Sequence, residues 1–275
     1  MSSLRRKDFR LLMLLGLGQT AQVYLAEGPK GERVALKLPR KEVRQDPRLA
    51  ERFAREVSLS LSLKHPHLVQ GLHGVPLGEE AFLALEHMEG TLEERILKGT
   101  LPQEEAVKAL LQVGEALLFL QQKGFLHQDV KPSNVFVKGG VYKLGDLGTL
   151  RPLGDRTPEY AGSPHYLAPE LFLGGLPSPK SEAYAFGVMT YELLTGKRPF
   201  RGETLEALRE AHLLLPPPPT RLPPRLDRAL RRILAKNPEE RLDLKAFLEV
   251  LKDPEGRDTA EPKPEKPRRF PFWRK

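Results

Sequence analysis

Cysteine is absent from this 275-residue chain, which excludes a disulfide framework and any thiolate metal site. Asparagine is scarce, tryptophan occurs once and aromatic residues make up only 7% of the sequence. That scarcity accompanies abundant Leu, Arg, Pro and Glu, a bias shared by thermophiles and by GC-rich coding. No apolar run reaches membrane-spanning length, since the stretch 11–17 is short and broken by Gly16. The basic, leucine-rich start is followed by a glycine loop and not by the small-residue cleavage site of a signal peptide. These absences point to a cytoplasmic protein.

What is present fits a globular domain. Apolar residues are 40% and charged residues 29% of the chain, and the length suffices for one large domain or two lobes with their own cores. The 26 prolines cluster at 216–219, 223–224 and in the last residues, where they mark connections. The net charge of +8 is concentrated at the ends, in Arg5, Arg6 and Lys7 and in Lys263, Lys266, Arg268, Arg269, Arg274 and Lys275. That distribution reads as solubilising termini, and no nucleic-acid partner is expected.

Hydrophobic periodicity divides the chain. Short runs rich in apolar residues, bounded by turn residues, predict strands at 11–15, 21–27, 33–38, 69–74 and 81–85, with one helix over 47–64 from its helical apolar spacing. From Gly90 onward the pattern is mainly helical, with amphipathic segments at 91–98 and 104–123 and a short hairpin, 134–137 and 142–144, around Gly139 and Gly140. Residues 253–275, rich in Pro, Lys, Arg and Glu, carry no buried periodicity and are expected to form a disordered tail.

Chemistry-bearing residues are ordered along this frame. Gly16-Leu17-Gly18-Gln19-Thr20-Ala21-Gln22-Val23 lies between two strands, where glycine lets a backbone approach a phosphate. A dinucleotide fold is excluded there because a strand follows the motif and not a helix. Val34-Ala35-Leu36-Lys37 comes next, then Glu56 on the predicted helix, with Glu51 as a weaker alternative. Further on stand His127-Gln128-Asp129-Val130-Lys131-Pro132-Ser133-Asn134, Asp146-Leu147-Gly148 and Ala168-Pro169-Glu170.

In this order and spacing the chain resembles the bacterial-type serine/threonine protein kinases over roughly residues 9–251. The resemblance implies an α+β bilobal fold, with an N-lobe of five strands and one main helix at about 9–87 and a mainly helical C-lobe at about 90–252. It also implies transfer of the ATP γ-phosphate to Ser or Thr hydroxyls of protein substrates with Mg²⁺. Asp129 would orient the hydroxyl, Lys131 would contact the γ-phosphate, and Lys37, held by Glu56, would pair the other phosphates. Asn134 and Asp146 would ligate the metal. Gly16, Gly18, Ala21, Val23, Ala35 and the hinge residues Glu86 and Met88 would surround the nucleotide, with Leu85 as gatekeeper. Arg241 matches the late arginine that pairs with Glu170.

Four departures stand out. Ala21 replaces the third glycine of the loop. Gln128 replaces a common arginine that receives activation-segment phosphate, so activity is expected not to require phosphorylation at Thr149, Thr157, Tyr160 or Ser163. Leu147 replaces phenylalanine, and Glu182 replaces an aspartate on the helix that anchors the catalytic loop. These keep an ATP-binding pseudokinase scaffold as the alternative, with a small-molecule phosphotransferase behind it. The segment 267–275 mixes cations with Phe270, Phe272 and Trp273, a candidate contact for an anionic membrane surface or a partner.

Overall fold

The computed structural model describes residues 4–99, 101–157 and 162–256. Its N-terminal part is a five-stranded antiparallel sheet formed by β1 (Arg10–Leu17), β2 (Ala21–Glu27), β3 (Arg33–Pro39), β4 (Gly71–Val75) and β5 (Phe82–Glu86), in the order β1-β2-β3-β5-β4. Between β3 and β4 lie α1 (Lys41–Gln45) and α2 (Pro47–Ser62). The short α1 was not expected. It buries only Val43 in a charged stretch, which leaves no periodicity to read. The start of α2 follows from its residues: Asp46 accepts the backbone N–H groups of Arg48 and Leu49, and Pro47 occupies the first helical position.

Alternation on the strands gives the sheet two apolar faces. Phe9, Ala26, Val34, Leu36, Leu38, Phe82 and Ala84 form one cluster. Val43, Phe53, Val57, Ala81 and Leu83 form the other, where α2 packs against the sheet. Burying α2 on this face brings Glu56 beneath β3.

The C-terminal part is mainly helical. In order, it contains β6 (Gly90–Thr91), α3 (Leu92–Leu97), α4 (Gln103–Gln122), β7 (Phe125–Leu126), β8 (Val135–Lys138), β9 (Val141–Leu144), β10 (Arg151–Pro152), α5 (Pro169–Phe172), α6 (Pro179–Thr195), α7 (Leu205–Leu214), α8 (Pro224–Ile233) and α9 (Leu244–Lys252). The two-residue strands β6, β7 and β10 are too short for any periodic signal. Helix α6 is the hub. Ser178 caps it, Pro179 begins it and Gly196 ends it in the left-handed region at φ 73°. Between those caps it is buried nearly all round, including Glu182, Tyr184, Phe186 and Met189.

After α9, Asp253 is pinned by Arg225, which reaches its carboxylate at 2.8 Å and its carbonyl at 3.0 Å. Gly256 N–H then donates to the Asp253 carboxylate at 2.9 Å. Asp253, expected to open the tail, is thus tied to α8. Residues 257–275, including the basic-aromatic segment, lie outside the described residues. Among the described residues, no helix is long and apolar enough to cross a membrane.

Candidate active site

Strand register builds the roof of the site. Residues directly opposite one another share a face. Val23 stands opposite Lys37, Ala35 opposite both Leu25 and Leu85, and Gly16 opposite Val23. Val23, Ala35, Lys37 and Leu85 therefore share the sheet face that looks toward the C-lobe, with Gly16 at its edge. The turn after β1 closes through Gly18 N–H to the carbonyl of Ala21 at 2.9 Å. Gly16 has no need of glycine for its own conformation: its φ is not positive, and a Cβ there would meet nothing within 4 Å. The room above it is open for a ligand. Met88 is buried and Glu86 half-buried at the end of β5, where the chain crosses to the C-lobe.

Below the roof, Lys37 Nζ lies 2.6 Å from Glu56 Oε1 and 3.0 Å from Asp146 Oδ1. Glu51 is exposed and takes no part in that network. Burial alone would lower the Lys37 pKa, but the charges of Glu56 and Asp146 outweigh it and hold the ammonium well above the ordinary lysine range. Lys37 in turn is the main cause of a lowered Asp146 pKa. Both groups are therefore ionised at neutral pH. Gly148 has a structural reason: a Cβ there would come within 2.9 Å of Glu56 Oε2. Its carbonyl accepts from Arg52 Nε at 2.9 Å, a second tie between α2 and this segment.

The catalytic loop is held from several sides. Asp129 Oδ2 lies 2.7 Å from Lys131 Nζ and accepts Asn134 Nδ2 at 2.9 Å. Asn134 also donates to the Asp129 carbonyl at 2.8 Å. Asp129 Oδ1 accepts the backbone N–H of Ser163 at 3.0 Å. His127 is fully buried. Its Nε2 donates to the Gly145 carbonyl at 2.8 Å, and its Nδ1 accepts Asp129 N–H at 3.4 Å. Burial pushes its pKa down, against the pull of the Gly145 carbonyl, so the ring is neutral. Among the described residues, the non-glycine positions with positive φ are Gln128 at 69° and Asp146 at 56°. Both flank this loop, where surrounding bonds fix a backbone that costs about 1 kcal/mol or more.

Glu182 anchors the loop from α6. Its Oε1 accepts His127 N–H at 2.5 Å and Gln128 N–H at 3.4 Å, while Oε2 accepts Gln121 Nε2 at 2.8 Å. The extra methylene relative to aspartate is accommodated, and Gln121 of α4 occupies the second oxygen. Burial raises the Glu182 carboxyl to about 7, the three hydrogen bonds opposing that rise. Leu147 is buried in the C-lobe core.

The segment after Asp146 is tied down by contacts that the sequence did not reveal. Thr149, one of the expected phosphate acceptors, donates its hydroxyl to the His127 carbonyl at 2.8 Å, so replacing it disturbs the loop whether or not it is modified. Arg151 is buried, pairs with Asp155 at 3.3 Å and donates to Thr157 Oγ1 at 2.8 Å and to the Thr157 carbonyl. Tyr160 lies outside the described residues. Downstream, Arg241 makes a two-pronged bond to Glu170 at 2.7 and 2.9 Å and donates to the carbonyls of Ala235, Lys180 and Lys236. At the hinge, Lys143 of β9 holds Glu86 at 2.6 Å. Nothing in the alternation of β9 singled out Lys143, and a glutamine such as Gln121 reads as a surface residue.

The protein kinase domain profile matches residues 9–253. This chain belongs to the protein kinase family. Within the family it is similar to bacterial serine/threonine-protein kinases: PknB of Mycolicibacterium smegmatis (31% identical over 93% of this chain and 44% of that protein), PrkC of Bacillus subtilis (33%, 88% and 39%) and PknA of Mycobacterium tuberculosis (34%, 85% and 58%). The chain thus spans about half the length of these curated relatives. The kinase fold positions the expected residues in two groups: Lys37, Glu56 and Asp146 beneath the sheet, and Asp129, Lys131 and Asn134 on the loop.

Proposed function

We propose that this kinase-family chain transfers the γ-phosphate of ATP to Ser or Thr hydroxyls of protein substrates. The observation that carries the reading is the Asp129 carboxylate, bonded at once to Lys131, Asn134 and the Ser163 backbone. A hydroxyl arriving at Asp129 meets a carboxylate whose direction is already fixed. The transition state of phosphoryl transfer is loose, so placement and charge neutralisation account for most of the acceleration.

Lys131 supplies a cation beside the reacting oxygen, and Lys37, kept charged by its two carboxylates, binds the phosphates of the nucleotide. Val23, Ala35 and Met88 line the adenine side, with the backbone of Glu86 and Met88 reading its edge, and Gly16, Gly18 and Ala21 leave room over the phosphates. A carboxylate oxygen from Asp146 and an amide oxygen from Asn134 form the hard donor set that Mg²⁺ takes together with phosphate oxygens and water. When bound, the metal neutralises charge on the phosphates. Activation-segment phosphorylation is not required in this reading. What supports it is that Gln128 is neutral while Arg151 already has a carboxylate in Asp155 and a hydroxyl in Thr157. The sequence further supports a cytoplasmic enzyme, and the membrane or partner role of 267–275 rests on its composition alone.

The test is incubation with labelled ATP and Mg²⁺ beside Asp129→Ala, with phosphorylated residues mapped by mass spectrometry. Phosphate on Ser or Thr, absent from the control, is the expected result. ATP binding without transfer to itself or to generic protein substrates would overturn the enzyme reading in favour of a nucleotide-binding scaffold.

A further inference from the structure

Strand β1 shows long apolar side chains to solvent along most of its length. Leu11, Leu12, Met13, Leu14, Leu15 and Leu17 are each between 41% and 62% exposed. The strand ends the sheet order, so among the described residues it pairs with β2 alone. Register sorts its residues by face. Leu11 stands opposite Ala26, Leu14 opposite Tyr24 and Leu17 opposite Gln22, which places these leucines on the outer face, away from Lys37. Met13 and Gly16, opposite Leu25 and Val23, look toward the nucleotide cleft. A contiguous apolar strip of this kind on a soluble surface marks an interaction site.

The surroundings identify the partner's chemistry. Arg5, Lys7 and Arg10 are exposed beside the start of the strip, and Lys30 and Arg33 are exposed on the adjoining hairpin. Arg10 and Glu27 neutralise one another at 2.9 Å, and Asp8 and Glu32 accept the backbone N–H groups of Arg5 and Lys30 at 2.7 and 2.9 Å, so Arg5, Lys7, Lys30 and Arg33 outnumber the remaining carboxylates. A second copy of the chain would set this cationic rim against its like. The irregularities between Leu11 and Met13 and between Leu14 and Gly16 also break the flat edge that another strand would need. An anionic bilayer surface satisfies both features, taking the leucines into its interface and the cations at its headgroups.

We infer that the outer face of β1, with Arg5 and Lys7, docks on an anionic lipid surface. This surface is separate from the active site and does not depend on the proposed phosphotransfer. The experiment is sedimentation of the full chain with vesicles of phosphatidylcholine alone or mixed with phosphatidylglycerol, at low and high salt. Binding is expected only to the anionic vesicles, and it is expected to fade at high salt. Leu11→Ser with Leu14→Ser lowers it on the order of tenfold or more, and Arg5→Gln with Lys7→Gln lowers it on the order of thirtyfold. All these side chains are exposed, and unchanged melting temperatures verify that the variants are folded. Absence of binding to anionic vesicles overturns the proposal, as does binding that the leucine variants leave untouched, which would place the contact elsewhere in the chain. A lipid-free dimer that the leucine variants dissolve would assign the face to a second copy instead.

Discussion

Glu182 Oε1 lies 2.5 Å from the backbone nitrogen of His127, so a carboxylate at the centre of the C-lobe holds the loop that carries Asp129. Its folded-state pKa of about 7 stands above the ordinary value of 4.5 because burial disfavours the charge. Protonated Glu182 is therefore the form that folding favours. Its contribution to stability is fully present below about pH 4.5 and is lost as pH rises to about 7. The loss amounts to about 3 kcal/mol. Glu182→Gln, which does not titrate, should be free of this component. Chemical denaturation of both proteins at pH 5 and pH 8 checks it: parallel pH profiles would contradict the assignment.

Lys37 and Glu56 are predicted to be coupled in stability as well as activity. Lys37→Met leaves Glu56, only 6% exposed, as a buried carboxylate without its cation. The expected cost is about 3 kcal/mol, with phosphotransfer falling at least on the order of a hundredfold. Adding Glu56→Gln should restore most of the stability and none of the activity. A double variant as unstable as Lys37→Met alone would show that the pair is not the source of the loss.

Asp129→Asn keeps the shape of the side chain and most of its neighbours. Phosphotransfer is predicted to fall by roughly 10²–10⁴-fold, while ATP affinity changes little, because in the proposed function Asp129 meets the substrate hydroxyl and not the nucleotide. Isothermal titration with ATP, run beside the transfer assay, separates the two. Loss of ATP binding in a folded variant would contradict the role given to Asp129.

Thr157→Val removes the hydroxyl that accepts from Arg151 and donates to Asp155, and with it one candidate acceptor of phosphate. With Arg151 still paired with Asp155, activity should remain within about tenfold of the parent, the scale of one hydrogen bond to a charged group. A drop beyond a hundredfold with an unchanged melting temperature would mean that modification of Thr157 is needed after all.

The parts of this site that sequence made legible share one property: each side chain meets its partner inside a motif or across an element boundary that periodicity marks. Lys37 lies on a strand, Glu56 lies on the buried face of α2, and both were identifiable. The five strands of the sheet were recognised to within a few residues for the same reason. What stayed hidden depends on backbone groups or on pairs that no motif announces, whereas Glu170 and Arg241, 71 residues apart, were matched through the resemblance. Ser163 contributes its N–H to Asp129 and not its hydroxyl, Thr149 acts as a loop clasp, and Gln121 meets Glu182 across 61 residues. No residue-type pattern announces a backbone donor. Gln128 illustrates the limit differently. Its identity signalled a departure, but its φ of 69° is a property of the folded loop alone.

The bond between Glu170 and Arg241 spans 71 residues, and the guanidinium is fully enclosed. It also donates to the carbonyls of Ala235, Lys180 and Lys236, so little of this corner is complete without it. Every residue proposed above to bind nucleotide or to orient the hydroxyl precedes Arg241 in the chain, so during synthesis it leaves the ribosome first. A nascent chain therefore carries its proposed chemistry in an unfinished frame until Arg241 emerges and closes this corner on Glu170.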